Sequence, residues 1–273
     1  MKTFISLFAL FLSLSLTAQT NTATWYLNDT SGNGIQTSSN TASGSVSVAM
    51  GVGTTASGQY STSMGYSTTA SGDFSTASGE GTTASGMIST AMGAGTTANG
   101  MFSTAMGYFI TASDRSSLII GQHNLLGSTV TNSATDFSLE NTAFVIGNGT
   151  NSANRSDALV VKFNGDATLA GNLNINSDAR LKANIVSLGS TLSKLLQIDG
   201  KSYTMKKDES EKQKIGLLAQ DIEKVFPELV SESHGVKSVN YQGLVPVLIN
   251  ALKEQQSEID ELKTMLKTLI EKT

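Results

Sequence analysis

From Thr41 the chain repeats every fourteen residues: TASGSVSVAMGVGT, TASGQYSTSMGYST, TASGDFSTASGEGT, TASGMISTAMGAGT and TANGMFSTAMGYFI follow one another without a gap. A sixth copy starts at Thr111 and decays quickly. Glycines recur at 44, 58, 72, 86 and 100 and again at 51, 65, 79, 93 and 107, which divides the unit into halves of seven, approximately A-x-G-x-x-[ST]-[ST]. Such a period dominates any local propensity, because stacked copies share one core. Helix is excluded, since each glycine costs about 1 kcal/mol at a helical site. A strand of three or four residues followed by a Gly-centred turn does fit seven residues. Two such strands per unit predict one coil of a narrow parallel β-solenoid.

Small Ala and Ser side chains suit an interior too thin for Leu or Phe. The larger residues fall into two stripes of fixed phase: Val46, Tyr60, Phe74, Ile88, Phe102, and Met50, Met64, Met92, Met106, with Ser78 interrupting the second. One coil this thin buries too little apolar area to offset backbone ordering at about 1–2 kcal/mol per residue, so both stripes are expected to pack against partner chains. Disorder has no need of register, which sets the block apart from a Gly/Ser-rich low-complexity tract. Thr pairs at 54–55, 68–69, 82–83 and 96–97 also repeat in phase and could form a flat hydroxyl ladder. The calcium-roll pattern GGxGxD is missing. The block at 41–121 resembles the left-handed β-roll heads of trimeric autotransporter adhesins of the YadA type, whose repeats read like AxGxxSxAxGxxS. That resemblance implies a trimeric head.

Residues 122–176 lose the ruler. TAFVIGNG and SDALVVKFNGDATLAGNLNI alternate apolar and polar residues, with Asn-Gly at 148–149 and Asn-Gly-Asp at 164–166. This is the chemistry of strands and hairpins in a β-rich neck or shaft.

At Ser177 the composition breaks. The 176 residues before it carry 4 Lys+Arg and 8 Asp+Glu; the 97 from Ser177 onward carry 14 of each and both prolines. SLGSTLSKLLQI places Leu188, Leu192, Leu195 and Leu196 on one helical face. KSYTM and KIGLLAQ read as strands around a charged turn, AQDIEKVF as a short helix stopped by Pro227, and VKSVN as a last strand. Asn240 is the expected N-cap of a long final helix. In it Leu248, Leu252, Gln255, Ile259, Leu262, Leu266 and Leu269 alternate steps of four and three, a coiled-coil seam with one polar member. Pro246 is expected to kink or loosen the first turns.

Three motifs, SDARLKANI at 177–185, IGLLAQDIEKVFPELV at 215–230 and VNYQGLVPVLINALKEQQ at 239–256, resemble the self-cleaving intramolecular chaperone domain of phage tail spikes and endosialidases. A similar domain occurs in myelin regulatory factor. The resemblance implies a domain that drives trimerisation of the fibre upstream and then cuts just before the Ser of S-D-x-R-L-K. Carried over, the cleaved bond is Asn176–Ser177, the nucleophile Ser177 and the general base Lys182. Asp178 and Arg180 are expected to form an ion pair or a cap, Gln220 to be a buried hydrogen-bonding group, and His234 to be an assisting candidate.

The N-terminus reads as a secretory signal over 1–18: Lys2, then the apolar run Phe4–Leu16, with cleavage after Ala18. No later segment is apolar enough to span a membrane. Net charge of −4 gives no reason to expect nucleic acid, and with no cysteine there is neither a disulfide framework nor a thiol nucleophile. His123 and His234 are too few and too far apart for a metal site, and no cofactor is expected. The organisation expected is a signal peptide (1–18), an N-terminal segment (19–40), a β-roll head (41–121), a β-rich neck (122–176) and an α+β chaperone unit ending in a coiled-coil helix (177–273). The function expected is an exported homotrimeric, adhesin-like fibre, secreted or on the cell surface. It would engage a surface glycan or host receptor and be trimmed once by a Ser/Lys self-cleaving endopeptidase unit. Two rivals compete with that reading. One is an ice- or surface-binding solenoid built on the Thr pairs. The other is a fibre-borne glycan hydrolase, opposed by eight thinly spread acidic residues with no general-acid pair before residue 177.

Overall fold

The computed structural model describes residues 26–27, 35–36, 39–126, 134–206 and 211–272. The expected signal segment, 1–18, and most of 19–40 lie outside the described residues. The chain divides after Leu173 into two units, the second running Asn174–Thr273.

The first unit is the solenoid. Each coil contributes a five-residue strand, as in Thr62–Tyr66, Thr76–Glu80 and Thr90–Ala94, and a two-residue strand, as in Thr69–Ala70 and Thr83–Ala84. The two halves of the repeat are therefore unequal, not the matched strands that the seven-residue half-period predicts. Parallel pairing runs strictly from i to i+14: Thr62 on Thr76 on Thr90 on Thr104, and Ala56 on Ala70 on Ala84 on Ala98. The sixth copy keeps this register through Leu118–Gln122. Thr142–Asn148 then adds to it in parallel, and Asp157–Lys162 and Ala167–Leu169 close the sheet by antiparallel pairing. At the other end Ile35–Gln36 pairs with Val48–Ala49, and Tyr26–Leu27 with Ile35–Gln36.

The interior is built of small side chains, as the repeat predicts. Ala70, Ala77, Ala84, Ala91, Ala98 and Ala105 are fully buried in one column system that ends on Ile110, Ile119 and Val145. Thr54, Thr68, Thr82 and Thr96 also point inward and are buried. Of each Thr pair, only the second member lies on the surface side, so the hydroxyl row is one threonine wide: Thr55, Thr69, Thr83 and Thr97 stack in register. A strand alternates faces at every residue, so adjacent threonines cannot both face out. Each end of the roll is closed by an asparagine. Asn40 Oδ1 accepts from Thr54 N–H at 2.9 Å, and Asn124 Oδ1 from Thr111 N–H at 2.8 Å. In the sixth coil Asp114 takes the glycine position. It is buried, accepts from Thr142 N–H at 2.7 Å, and burial pushes its carboxyl above the ordinary carboxylate value.

Both apolar stripes lie outside. Register places Met50, Met64, Ser78, Met92, Met106, Ile120 and Ile146 in one continuous row along the outer face of the long sheet. Val46, Tyr60, Phe74, Ile88 and Phe102 sit at a corner of the coil with φ between 55° and 61°. Phe74 is 52 % exposed, and Tyr60 stacks on it at 5.0 Å.

The second unit is α+β. Two hairpins, Lys201–Tyr203 with Lys214–Gly216 and Val230–Ser233 with Val236–Val239, accompany helix α1 (Leu192–Leu195), helix α2 (Ala219–Val225) and helix α3 (Leu244–Ile270). Its core is small: Ile222, Phe226, Leu229, Leu244 and Val247, flanked by Leu195, Ile198, Leu217, Val225, Val230 and Val239. The expected helix over Leu188–Leu196 shrinks to the single turn of α1. Gly189 at φ +67° precedes it, and Leu188 and Leu196 are exposed. Pro246 falls at the third position of α3. There its missing N–H falls in the first turn of the α-helix, where proline is tolerated. The expected Asn240 cap is present one step earlier, accepting from Gly243 N–H at 3.1 Å in a 3₁₀ turn that runs into α3. No described helix is long and apolar enough to cross a membrane.

The α1 N-terminus is tied to α3 by Glu254. Its carboxylate accepts from Ser190 Oγ at 2.7 Å, Thr191 N–H at 2.6 Å and Leu192 N–H at 3.2 Å. The Ser190 hydroxyl, followed by the Thr191 N–H, holds the Glu254 carboxyl below its ordinary 4.5. A carboxyl whose value falls on folding stabilises the fold above its ordinary value and loses that contribution as pH drops through the folded one. Glu254→Gln should therefore lower the melting temperature of this unit at pH 7 and flatten its loss of stability below pH 4.5. Thermal melts across that range by circular dichroism check both outcomes.

Candidate active site

Ser177 and Lys182 lie in an extended, exposed segment interrupted by one 3₁₀ turn, Ala179–Leu181. Across that turn Lys182 Nζ donates to Ser177 Oγ at 2.6 Å. Five residues of extended chain span about 17 Å, well beyond the reach of a lysine and a serine side chain together, so the turn is what lets the two groups meet. Asp178 and Arg180 form both the ion pair and the cap expected of them. Asp178 Oδ1 accepts from Arg180 N–H at 2.9 Å, and the Arg180 guanidinium donates to Asp178 Oδ2 at 2.6 Å. The Arg180 side chain, then its N–H, hold the Asp178 carboxyl below the ordinary carboxylate value.

A lysine this close to a serine hydroxyl can remove its proton only as the neutral amine, and burial is what lowers a lysine from its ordinary value of about 10.4. Both groups are exposed in the single chain. Removal of water must therefore come from surroundings beyond those of the single chain if the pair is to act as nucleophile and base.

His234 stands in the turn between Val230–Ser233 and Val236–Val239 at φ +52°, its Nδ1 2.9 Å from Ser233 Oγ. No hydrogen bond joins it to Ser177 or Lys182, so the structure does not bring this third candidate to the pair. Gln220 is exposed on α2. This corrects the expectation of a buried hydrogen-bonding group, because α2 turns Ile222 and Phe226 toward the core instead.

The unit leaves much apolar surface open. Ile215 is 87 % exposed and Leu252 67 %, and Leu248, Ile259, Leu262, Leu266 and Leu269 of the heptad seam are exposed as well. Leu244, Val247 and Ala251, on the adjoining face of α3, are its buried residues. One feature escaped sequence reasoning: the clamp of Glu254 on residues 190–192, just downstream of the Ser–Lys pair.

Comparison with known proteins agrees with both resemblances. Residues 177–231 match the family model described as chaperone of endosialidase. Residues 42–68, 56–82, 70–87 and 84–109 match the YadA head domain repeat. The curated relatives include the long tail fiber protein Gp37 of Salmonella phage S16, 33% identical over 118 residues, or 40% of this chain and 16% of that protein. The protein of the same name from Enterobacteria phage M1 is 37% identical over 107 residues, 35% of this chain and 42% of that protein. The chain thus spans less than half the length of either relative.

Proposed function

We propose that this chain is an exported homotrimeric fibre protein whose C-terminal unit, residues 177–273, drives trimer folding and then releases itself by cutting Asn176–Ser177. The 2.6 Å contact between Lys182 Nζ and Ser177 Oγ, inside the segment that matches the endosialidase chaperone, carries this reading.

The chemistry runs in two steps. Neutral Lys182 takes the Ser177 hydroxyl proton as Oγ attacks the carbonyl carbon of Asn176. The C–N bond then breaks, the Ser177 nitrogen leaves as an amine with that proton, and an ester joins Asn176 to Ser177 Oγ. Water hydrolyses the ester, leaving a carboxylate on Asn176 and a free N-terminus on Ser177. Each chain does this once, without cofactor.

Three observations support assembly as the step that precedes cutting. The Met row of the long sheet, broken at Ser78, and the seam of α3, broken at Gln255, each expose a largely apolar line that one chain leaves uncovered. The corner stripe holds Val46, Tyr60, Phe74, Ile88 and Phe102 in left-handed backbone. Non-glycine residues there cost roughly 1–2 kcal/mol each, and strain of this kind persists where surroundings enforce it. Packing of these side chains between copies supplies such surroundings. The relatives named as tail fibres favour a fibre, and the apolar run Phe4–Leu16 favours export to the surface or medium. The mature fibre would be residues 19–176, with a surface glycan or host receptor as its target. The inward-facing threonines leave the ice-binding rival only one threonine per coil on the surface side.

Expression of residues 1–273 in a secreting host tests the whole reading. The expected products are a sodium dodecyl sulfate-separable small fragment beginning at Ser177 and a fibre that sediments as a trimer. An uncut monomer overturns both parts, and a fragment with any other N-terminus overturns the assigned bond.

A further inference from the structure

We propose that Asp178 is the residue that positions the pair: its carboxylate caps the turn that brings Lys182 back onto Ser177. This rests on the self-cleavage reading and names what holds that site in shape. The turn Ala179–Leu181 buries none of its residues, so packing within the chain contributes nothing to it. Two backbone bonds, Leu181 N–H to Asp178 O at 3.0 Å and Lys182 N–H to Ala179 O at 3.1 Å, close it. Apart from the Lys182–Ser177 contact itself, the side-chain hydrogen bonds of the turn end on Asp178. Asp178 Oδ1 takes the Arg180 N–H at 2.9 Å, and the Arg180 Nε lies 3.1 Å from each carboxylate oxygen.

The two roles of Asp178 differ in weight. The ion pair is exposed, with side-chain exposures of 88% for Arg180 and 43% for Asp178, and exposed pairs contribute little. The cap satisfies a donor that the turn leaves without a partner, which is the larger effect at a helix start. Asparagine keeps that acceptor and discards the charge. Alanine discards both. Asp178→Asn should therefore preserve the geometry that Asp178→Ala loses, with Arg180→Ala close to Asp178→Asn.

Two readouts test this. The first is the cutting rate of the full chain. Asp178→Ala should slow it about tenfold, the change in population that loss of a capping residue commonly produces, while Asp178→Asn stays within about threefold of the parent.

The second readout does not require cutting. The chain has no cysteine, so S177C introduces a single thiol whose alkylation against pH, read on the uncut chain by intact mass, reports the nearness of the Lys182 ammonium. That thiol should titrate below the free value of about 8.5. Adding Asp178→Ala should return it toward the free value, although removing a neighbouring negative charge by itself would lower it further. Adding Asp178→Asn should leave it low. The opposite signs separate positioning from charge. A thiol that stays low or falls in the S177C/D178A chain overturns the proposal, as does parental cutting by Asp178→Ala or equal slowing by Asp178→Asn. A parent chain that never cuts, together with S177C chains whose thiol shows the expected shifts, refutes self-cleavage and leaves the positioning role standing.

Discussion

Ser177→Ala and Lys182→Ala are each expected to leave residues 19–273 as one uncut chain while the trimer still forms. Ser177→Ala removes the attacking oxygen, so cutting should stop altogether. Lys182→Ala removes the base, a group that contributes about a hundred- to ten-thousandfold in comparable reactions. Neither side chain packs in the core, and both are exposed. Surface substitutions of this kind move stability by no more than about 0.5 kcal/mol. Loss of cutting without loss of assembly is therefore the signature of chemistry rather than folding. Leu262→Asp supplies the converse. It puts a charge in the middle of the exposed seam of α3, so it should block assembly and, with it, the water exclusion that Lys182 needs. Gel analysis of the purified chains, with sedimentation in parallel, distinguishes the cases. Efficient processing of the Ser177→Ala chain would falsify the assignment, and efficient processing of a Leu262→Asp monomer would separate cutting from assembly.

The features that were legible from the sequence are those that a repeat or a short motif encodes locally. A parallel coil has one stacking register, so a fourteen-residue period specifies both the fold and the partner of each residue, down to Met92 on Met106. The Ser–Lys contact was legible only through its motif, because five residues of unknown conformation do not say whether a turn lies between them. Facing was less legible. Thr54 and Thr55 differ by one position, and one position decides inside from outside in a strand. The unequal strand lengths were hidden because both halves of the repeat share the same Gly, Ser and Ala residues. In the second unit the leucine spacing from Leu188 suggested three turns where Gly189 permits one. The Glu254 clamp joins residues 63 positions apart and has no local signature.

A pair of glycine substitutions two residues apart should have opposite severity, because the solenoid uses the two glycines for different reasons. Gly79 has φ +120°, and a Cβ built on it would lie 1.9 Å from the carbonyl oxygen of Gly93 in the next coil. That neighbour is backbone within a ladder and cannot swing away. Either the coils separate and the bonds between Thr76–Glu80 and Thr90–Ala94 are lost, or the strand rotates and its buried Ala77 leaves the interior. Both routes are costly, and Gly79→Ala is expected to destabilise the solenoid by about 4 kcal/mol or more, in the exceptional range for one substitution. Gly81 has φ +58°, with nothing within 4 Å of the built Cβ. The preceding coil already places Ser67 at φ 51° in the same position. Alanine at 81 therefore meets only the left-handed backbone penalty of about 1–2 kcal/mol, partly offset by the entropy that glycine loses on folding. Urea titration of the uncut Ser177→Ala chain, followed by Tyr fluorescence of the head, reads both. Gly79→Ala should unfold the roll at low denaturant or prevent its accumulation, while Gly81→Ala shifts the midpoint only slightly. Equal midpoints for the two variants would mean that close approach of the coils at Gly79 does not limit the fold.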